Sequence, residues 1–142
     1  MKVRAVLLIL YFVVSCKSIE TNKNEKQLEV VSIEKVTLIA IEKYNKNYSI
    51  ELNSNKDFAL CIHKNKSNIP GPESINFFVY NLLNDKIAYE SNISKGNVSW
   101  DSEYEIIMEE MPGTIQKNMP HTSIYIFNVI TNKKTKINGD VR

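Results

Sequence analysis

From Val30 onward, apolar residues recur in short runs rich in Val, Ile, Tyr and Phe, separated by clusters of Asn, Asp, Lys, Pro and Gly. Short β-branched and aromatic runs between turn-forming residues read as strands. Tyr48, Ile50 and Leu52 alternate with Ser49, Glu51 and Asn53, so this strand turns one face to a core and the other to water. Tyr104, Ile106 and Met108 alternate less cleanly with Glu103, Glu105, Ile107 and Glu109. Val36 to Ile41 and Phe58 to Ile62 are apolar on both faces, which predicts central strands or strands covered on their second face. No helix is predicted after the first 15 residues. The stretch from Gln27 to Lys43 is β-branched and lacks a helix stop signal, and is read as strand.

The turns are explicit. Asn45-Lys46-Asn47 is expected to join the first two strands, Asn53 to Asp57 the next pair, Asn84-Asp85 a tight hairpin and Thr131 to Lys134 another. Asn and Asp tolerate the left-handed backbone that such turns need, so neighbouring strands are antiparallel. Ile69-Pro70-Gly71-Pro72 and Met111-Pro112-Gly113 mark longer loops. Residues Asn76 to Lys86 align with Ser123 to Lys133 at an offset of 47, a spacing near that of propeller blades. A propeller needs at least about four blades, and the chain has room for about two. The repeat is therefore read as two similar hairpins. The expected fold is all-β: an antiparallel β-sandwich or partly closed barrel of about eight strands.

The beginning of the chain has a different pattern. Met1-Lys2-Val3-Arg4 is basic, Ala5 to Val14 is unbroken apolar, and Ser15-Cys16 places a small residue before a cysteine, the order of a signal peptide. Ten apolar residues reach about 15 Å as a helix, half of a bilayer's hydrocarbon thickness of about 30 Å, so a permanent spanning helix is disfavoured. Val13-Val14-Ser15-Cys16 resembles the lipobox of bacterial lipoproteins, with Val13 where the family prefers Leu. The resemblance implies cleavage before Cys16 and acylation of that residue with palmitate-type chains, and two or more chains anchor a protein stably. By the family's sorting rule, Lys17 in place of Asp points to the outer rather than the inner membrane. The polar stretch that follows cannot bury enough surface to fold. The organisation expected is therefore a signal peptide over 1–15, a lipidated tether over 16–27 and a single β domain over 28–142, a length suited to one core.

Two of the 18 basic residues, Lys2 and Arg4, lie in the leader, which leaves the mature part balanced against 16 acidic residues. Lys alternates with Glu and Asn instead of clustering, so nucleic acid is not an expected partner. With Cys16 lipidated, Cys61 has no disulfide partner; it sits in Phe58-Ala59-Leu60-Cys61-Ile62 and is read as a buried filler.

Catalytic patterns are absent. His63 and His121 lack metal-ligand spacing and are read as a strand-end and a loop residue. Glu109 and Glu110, adjacent on a strand, point to opposite faces, and Glu103 and Glu105 lie opposite an apolar stripe. No GxSxG, P-loop or GxGxxG occurs, and neither a cofactor nor a metal is expected. Trp100, in Asn97-Val98-Ser99-Trp100-Asp101 between two predicted strands, is read as a core or core-edge anchor, with ligand stacking as its alternative. The loop from Met111 to His121 shows Met111, Ile115 and Met119 among polar residues. Loops often carry binding and methionine adapts to partners, so Met111, Ile115, Met119, His121 and Trp100 are the candidate binding residues. The alternative is that this loop caps an open end of the sandwich. The expected role is a non-enzymatic binding or accessory module of the cell envelope, held to the membrane by lipid and engaging another envelope protein or a glycan. An inhibitor of a hydrolase and a degenerate enzyme are the competing readings.

Overall fold

The fold is known from a computed structural model that describes residues 33–65, 73–111 and 122–137. The expected signal peptide and tether, Cys16, the expected loop at Ile69-Pro70-Gly71-Pro72, and Ile115, Met119 and His121 of the candidate loop lie outside the described residues. Helix α1 covers residues 33–44 and is followed by eight strands: β1 Tyr48–Leu52, β2 Phe58–Asn65, β3 Ser74–Asn81, β4 Lys86–Ile93, β5 Gly96–Trp100, β6 Glu105–Glu110, β7 Ser123–Asn128 and β8 Lys133–Ile137. They form two four-stranded sheets, β1-β2-β3-β4 and β5-β6-β7-β8. Every neighbouring pair is antiparallel. The antiparallel all-β sandwich expected from the sequence forms, with one helix added to it.

The second sheet repeats the first strand by strand. Phe58 pairs with Asn81 and, 47 residues later, Glu105 pairs with Asn128; Asn81 pairs with Lys86 as Asn128 pairs with Lys133. The opening strands are offset by 48, Leu52 matching Trp100, because the turn 53–57 is one residue longer than 101–104. The similarity visible in the sequence as one hairpin thus extends to a whole four-stranded meander, the make-up of a propeller blade.

Strand alternation decides how the layers stack. Phe58, Leu60 and Ile62 of β2 share a core with Ile75, Phe77 and Val79 of β3 and with Val98, Ile106, Met108 and Phe127 of the second sheet. The residues between them, Ala59, Cys61, Phe78 and Tyr80, pack instead against Val36 and Ala40 of α1. The first sheet is therefore the middle layer, buried on both faces, which is why Phe58 to Ile62 reads as continuously apolar. Ala59 and Cys61 are small enough to let the helix approach. Full burial of side chains such as Phe77, Phe78 and Leu60 contributes about 1.5–3 kcal/mol each.

Two sequence expectations are corrected here. Residues 33–44 are helix, not strand. Val36, Ala40 and Tyr44 recur every four residues along the face turned to the first sheet, and the gain from burying that stripe outweighs the modest helix penalty of Ile and Val. Thr37 satisfies its hydroxyl on the Ile33 carbonyl, 2.8 Å away. A stop signal is also present: Asn45 takes a left-handed φ of 62° while its N–H donates to the Ile41 carbonyl at 2.8 Å, the position and geometry of a helix C-cap. Asn45-Lys46-Asn47 therefore links α1 to β1, not two strands. In the second correction Gly96–Trp100 is a strand, β5, so Trp100 ends a strand instead of lying between two. The turns at Asn53–Asp57 and Asn84-Asp85 form where expected, with Lys56 and Asp85 in left-handed conformation; the turn expected over Thr131 to Lys134 lies two residues earlier, at 129–132, with Asn132 left-handed and Lys133 and Lys134 already in β8.

Candidate functional site

The turns of both sheets gather at one end of the stack. The N–H of Leu82 donates to Asp57 O at 2.9 Å, joining the β3–β4 turn to the β1–β2 turn, and Val129 N–H donates to Tyr104 O at 2.9 Å in the same way. Between the sheets, Asn53 Nδ2 donates to Glu103 O at 2.8 Å and Asn55 Nδ2 to Tyr104 Oη at 3.1 Å. Four turns thus form one rim. On it, Asn81 Oδ1 accepts from the N–H groups of Leu83 and Asn84 at 3.0 and 2.8 Å, and Asn128 Oδ1 accepts from those of Ile130 and Thr131 at 3.1 and 2.9 Å. An Asn side chain imitating a backbone turn in this way fixes the next residues in space. Leu83 is left 76% exposed and Ile130 60% exposed. Sequence reasoning about loops overlooked this pair, although the offset of 47 places Leu83 opposite Ile130.

The sequence candidates fall elsewhere. Trp100 is half-buried against the inter-sheet core, and its Nε1–H donates to the Glu51 carbonyl at 3.0 Å. The indole ties β5 to β1. Met111 is 41% exposed, and its N–H donates to Lys95 O at 2.8 Å. Because Gly96 pairs with Glu110 while Trp100 pairs with Ile106, Met111 and Trp100 stand at opposite ends of the β5–β6 hairpin, and the structure does not bring them together.

His63 lies near the end of β2, stacked on Tyr44 with ring centroids 4.8 Å apart and planes within 7°. Its Nδ1 donates to the Asn47 carbonyl at 3.0 Å, since that oxygen has no proton to give, and its Nε2 pairs with the Asn65 side chain at 2.9 Å. Asn65 in turn donates to Ser74 Oγ at 3.1 Å. The ring and Nδ1 fasten α1 and its connection to the first sheet, while Nε2 is occupied within β2. Burial pushes the Cys61 thiol up to about 12, which holds it as the unreactive thiol at neutral pH. Among the described residues no group of three or more His, Cys, Asp or Glu converges. A cavity of about 350 Å³ beside β1 is lined by Asn47, Tyr48, Ser49, Ile62, Lys64 and Glu73; none of the candidate binding residues among the described ones reaches it.

Compared with models of protein families, with curated proteins and with solved structures, the chain matches none of the three.

Proposed function

We propose that the protein is a lipid-anchored binding module of a bacterial envelope, tethered through Cys16, that engages another envelope protein through the rim of turns carrying Leu83 and Ile130. The observation that carries this reading is the repeated exposure of one aliphatic side chain at equivalent turn positions, each held outward by an Asn side chain on the strand before it. Water contact with two large aliphatic groups is unfavourable by about 25 cal/mol per Å², and a partner that covers both recovers it. A protein partner fits better than a glycan: the exposed large hydrophobic residues among the described ones are aliphatic or Met, without an aromatic ring, whereas sugars are gripped by stacking. Trp100, the stacking alternative, spends its N–H on Glu51.

The test uses the full chain in native membranes. Cross-linking the wild type is expected to capture a partner that the double variant Leu83→Ser/Ile130→Ser loses, with the melting temperature within a few degrees of wild type because both positions are exposed. Undiminished capture by the double variant refutes the rim. In parallel, Cys16→Ala is expected to move the protein out of the membrane fraction; retention there, with no lipid on the wild-type N-terminus, refutes the anchor.

A further inference from the structure

The two sheets differ in what covers them. On the face of the first sheet that receives the second, Leu60, Phe77 and Val79 are buried. Their equivalents 47 residues on, Ile107, Ile124 and Ile126, occupy the same face of the second sheet, as the register shows. Ile107 pairs with Ile126 and Glu109 with Ile124, while Ile126 pairs with Thr135 and Ile124 with Ile137. Residues directly opposite one another share a face, so Ile107, Ile124, Ile126 and Ile137 form one cross-strand apolar patch. Its members are half-buried, and Ile137 is 40% exposed. The patch faces away from Val98, Ile106, Met108 and Phe127, which pack inward against the first sheet. A third layer is missing among the described residues.

We propose that this outer face of the second sheet is a self-association surface, occupied by the same face of a second copy of the chain. Charge selects the arrangement. The same face carries two carboxylates on β6: Glu105, paired across β7 with Asn128, whose Nδ2 donates to it at 3.3 Å, and then with Lys133 on β8, and Glu109, paired with Ile124 and then with Ile137. A two-fold axis running along β7 lays β6 of one copy over β8 of the other without shifting the rows. Glu105 then meets Lys133 of the second copy, twice by symmetry, Ile126 and Ile124 meet their own counterparts on the axis, and Glu109 lies beside Ile137 at the far edge of the patch, where its carboxylate reaches water. A two-fold axis across the strands would set Glu-bearing β6 against itself. In an isologous pair each copy supplies the same patch, and since α1 already covers the far face of the first sheet, association stops at two. Four strands about 4.8 Å apart and about five residues long give a small footprint, so the expected dimer is weak and reversible. The isoleucine patch borders the turn rim at Asn128, but Ile126 lies away from Leu83 and Ile130, so Ile126→Lys and the Leu83→Ser/Ile130→Ser pair test the two proposals independently.

The full chain in non-ionic detergent is examined by analytical ultracentrifugation across a range of concentrations. A monomer–dimer equilibrium is expected. Ile126→Lys, which sets two ammonium groups face to face on the axis, is expected to raise the dissociation constant about a hundredfold. Glu105→Lys and Lys133→Glu each weaken the dimer about tenfold, and combining them restores it, a result that misfolding cannot produce. Far-ultraviolet circular dichroism confirms that each variant is folded. A wild type that stays monomeric overturns the proposal, as does an Ile126→Lys protein that dimerises unchanged or a double charge swap that fails to recover.

Discussion

The side-chain nitrogen of Asn53, in the first turn of the first sheet, donates to the backbone carbonyl of Glu103, in the first turn of the second, at 2.8 Å. Asn53 is buried, and the rest of its amide is satisfied locally: Oδ1 accepts from the N–H groups of Asp57 at 3.0 Å and Phe58 at 2.9 Å. One residue therefore both shapes a turn and locks two layers together. Its equivalent in the second repeat, Asp101, is exposed.

Asn53→Ala is expected to destabilise the domain by about 1–3 kcal/mol, since it leaves the buried Phe58 N–H and the part-buried Asp57 N–H and Glu103 carbonyl without their partner. Asn53→Asp retains the accepting oxygen but loses the donor to Glu103 O and to the Asp57 carboxylate and sets a second carboxylate beside Asp57, so it should cost at least as much. Urea unfolding of the two variants beside wild type tests the order; equal stability of all three would show that water replaces every bond.

Gly96 opens β5 with φ 156°, and a Cβ built there would lie 1.7 Å from the Glu109 carbonyl oxygen. Backbone cannot retreat from that contact as a flexible side chain can. Gly96→Ala is expected to cost about 3 kcal/mol or more, read as a lowered melting temperature, with the loss centred on the β5–β6 hairpin in amide hydrogen exchange.

The left-handed conformation of Asn45 predicts an opposite pair of effects at the end of α1. Asn45→Gly should leave stability within about 0.5 kcal/mol of wild type, whereas Asn45→Ala should lose about 1 kcal/mol, because only the β-carbon penalty separates them. Thermal melts decide it; indistinguishable Ala and Gly variants would mean that the cap adds nothing.

Alkaline pH should unfold this protein earlier than its near-neutral charge suggests. Burial raises the Cys61 thiol to about 12 and is the leading cause of the same rise for Tyr44 and Tyr80, reinforced by Cys61 and Glu90 for Tyr44 and by the bond to Asp85 for Tyr80. In the unfolded chain a thiol ionises near about pH 8.5 and a phenol near about 10. Each group then sheds its proton only on unfolding, so the stability it supplies is complete below those values and drains away as pH climbs toward 12. Urea midpoints should hold from pH 7 to about 8.5 and fall above it, and Cys61→Ala should shallow the first part of that fall. A midpoint constant to pH 11 would place these groups in contact with water.

Much of this architecture is local, and so the sequence alone determined it. The alternation of Tyr48, Ile50 and Leu52 sets a half-buried strand, Asn and Asp set the hairpin turns, and the match of Asn76–Lys86 to Ser123–Lys133 announces a duplication. Each depends on neighbouring residues and on backbone preferences that operate before any long-range contact forms. Tertiary structure decided the rest. Residues 33–44 carry β-branched side chains and an apolar spacing compatible with a helix, and what selects helix is the exposed side of β2, where small Ala59 and Cys61 leave room for a cylinder to bury Val36 and Ala40. Trp100 and Met111, eleven residues apart in sequence, are parted by the hairpin that joins them, while Leu83 and Ile130, 47 apart, share a rim because Asn53 and Asn55 bind the turns of one sheet to those of the other. A chain's pattern states which side chains want cover; only the packed layers determine which of them receive it, because each face can be buried once.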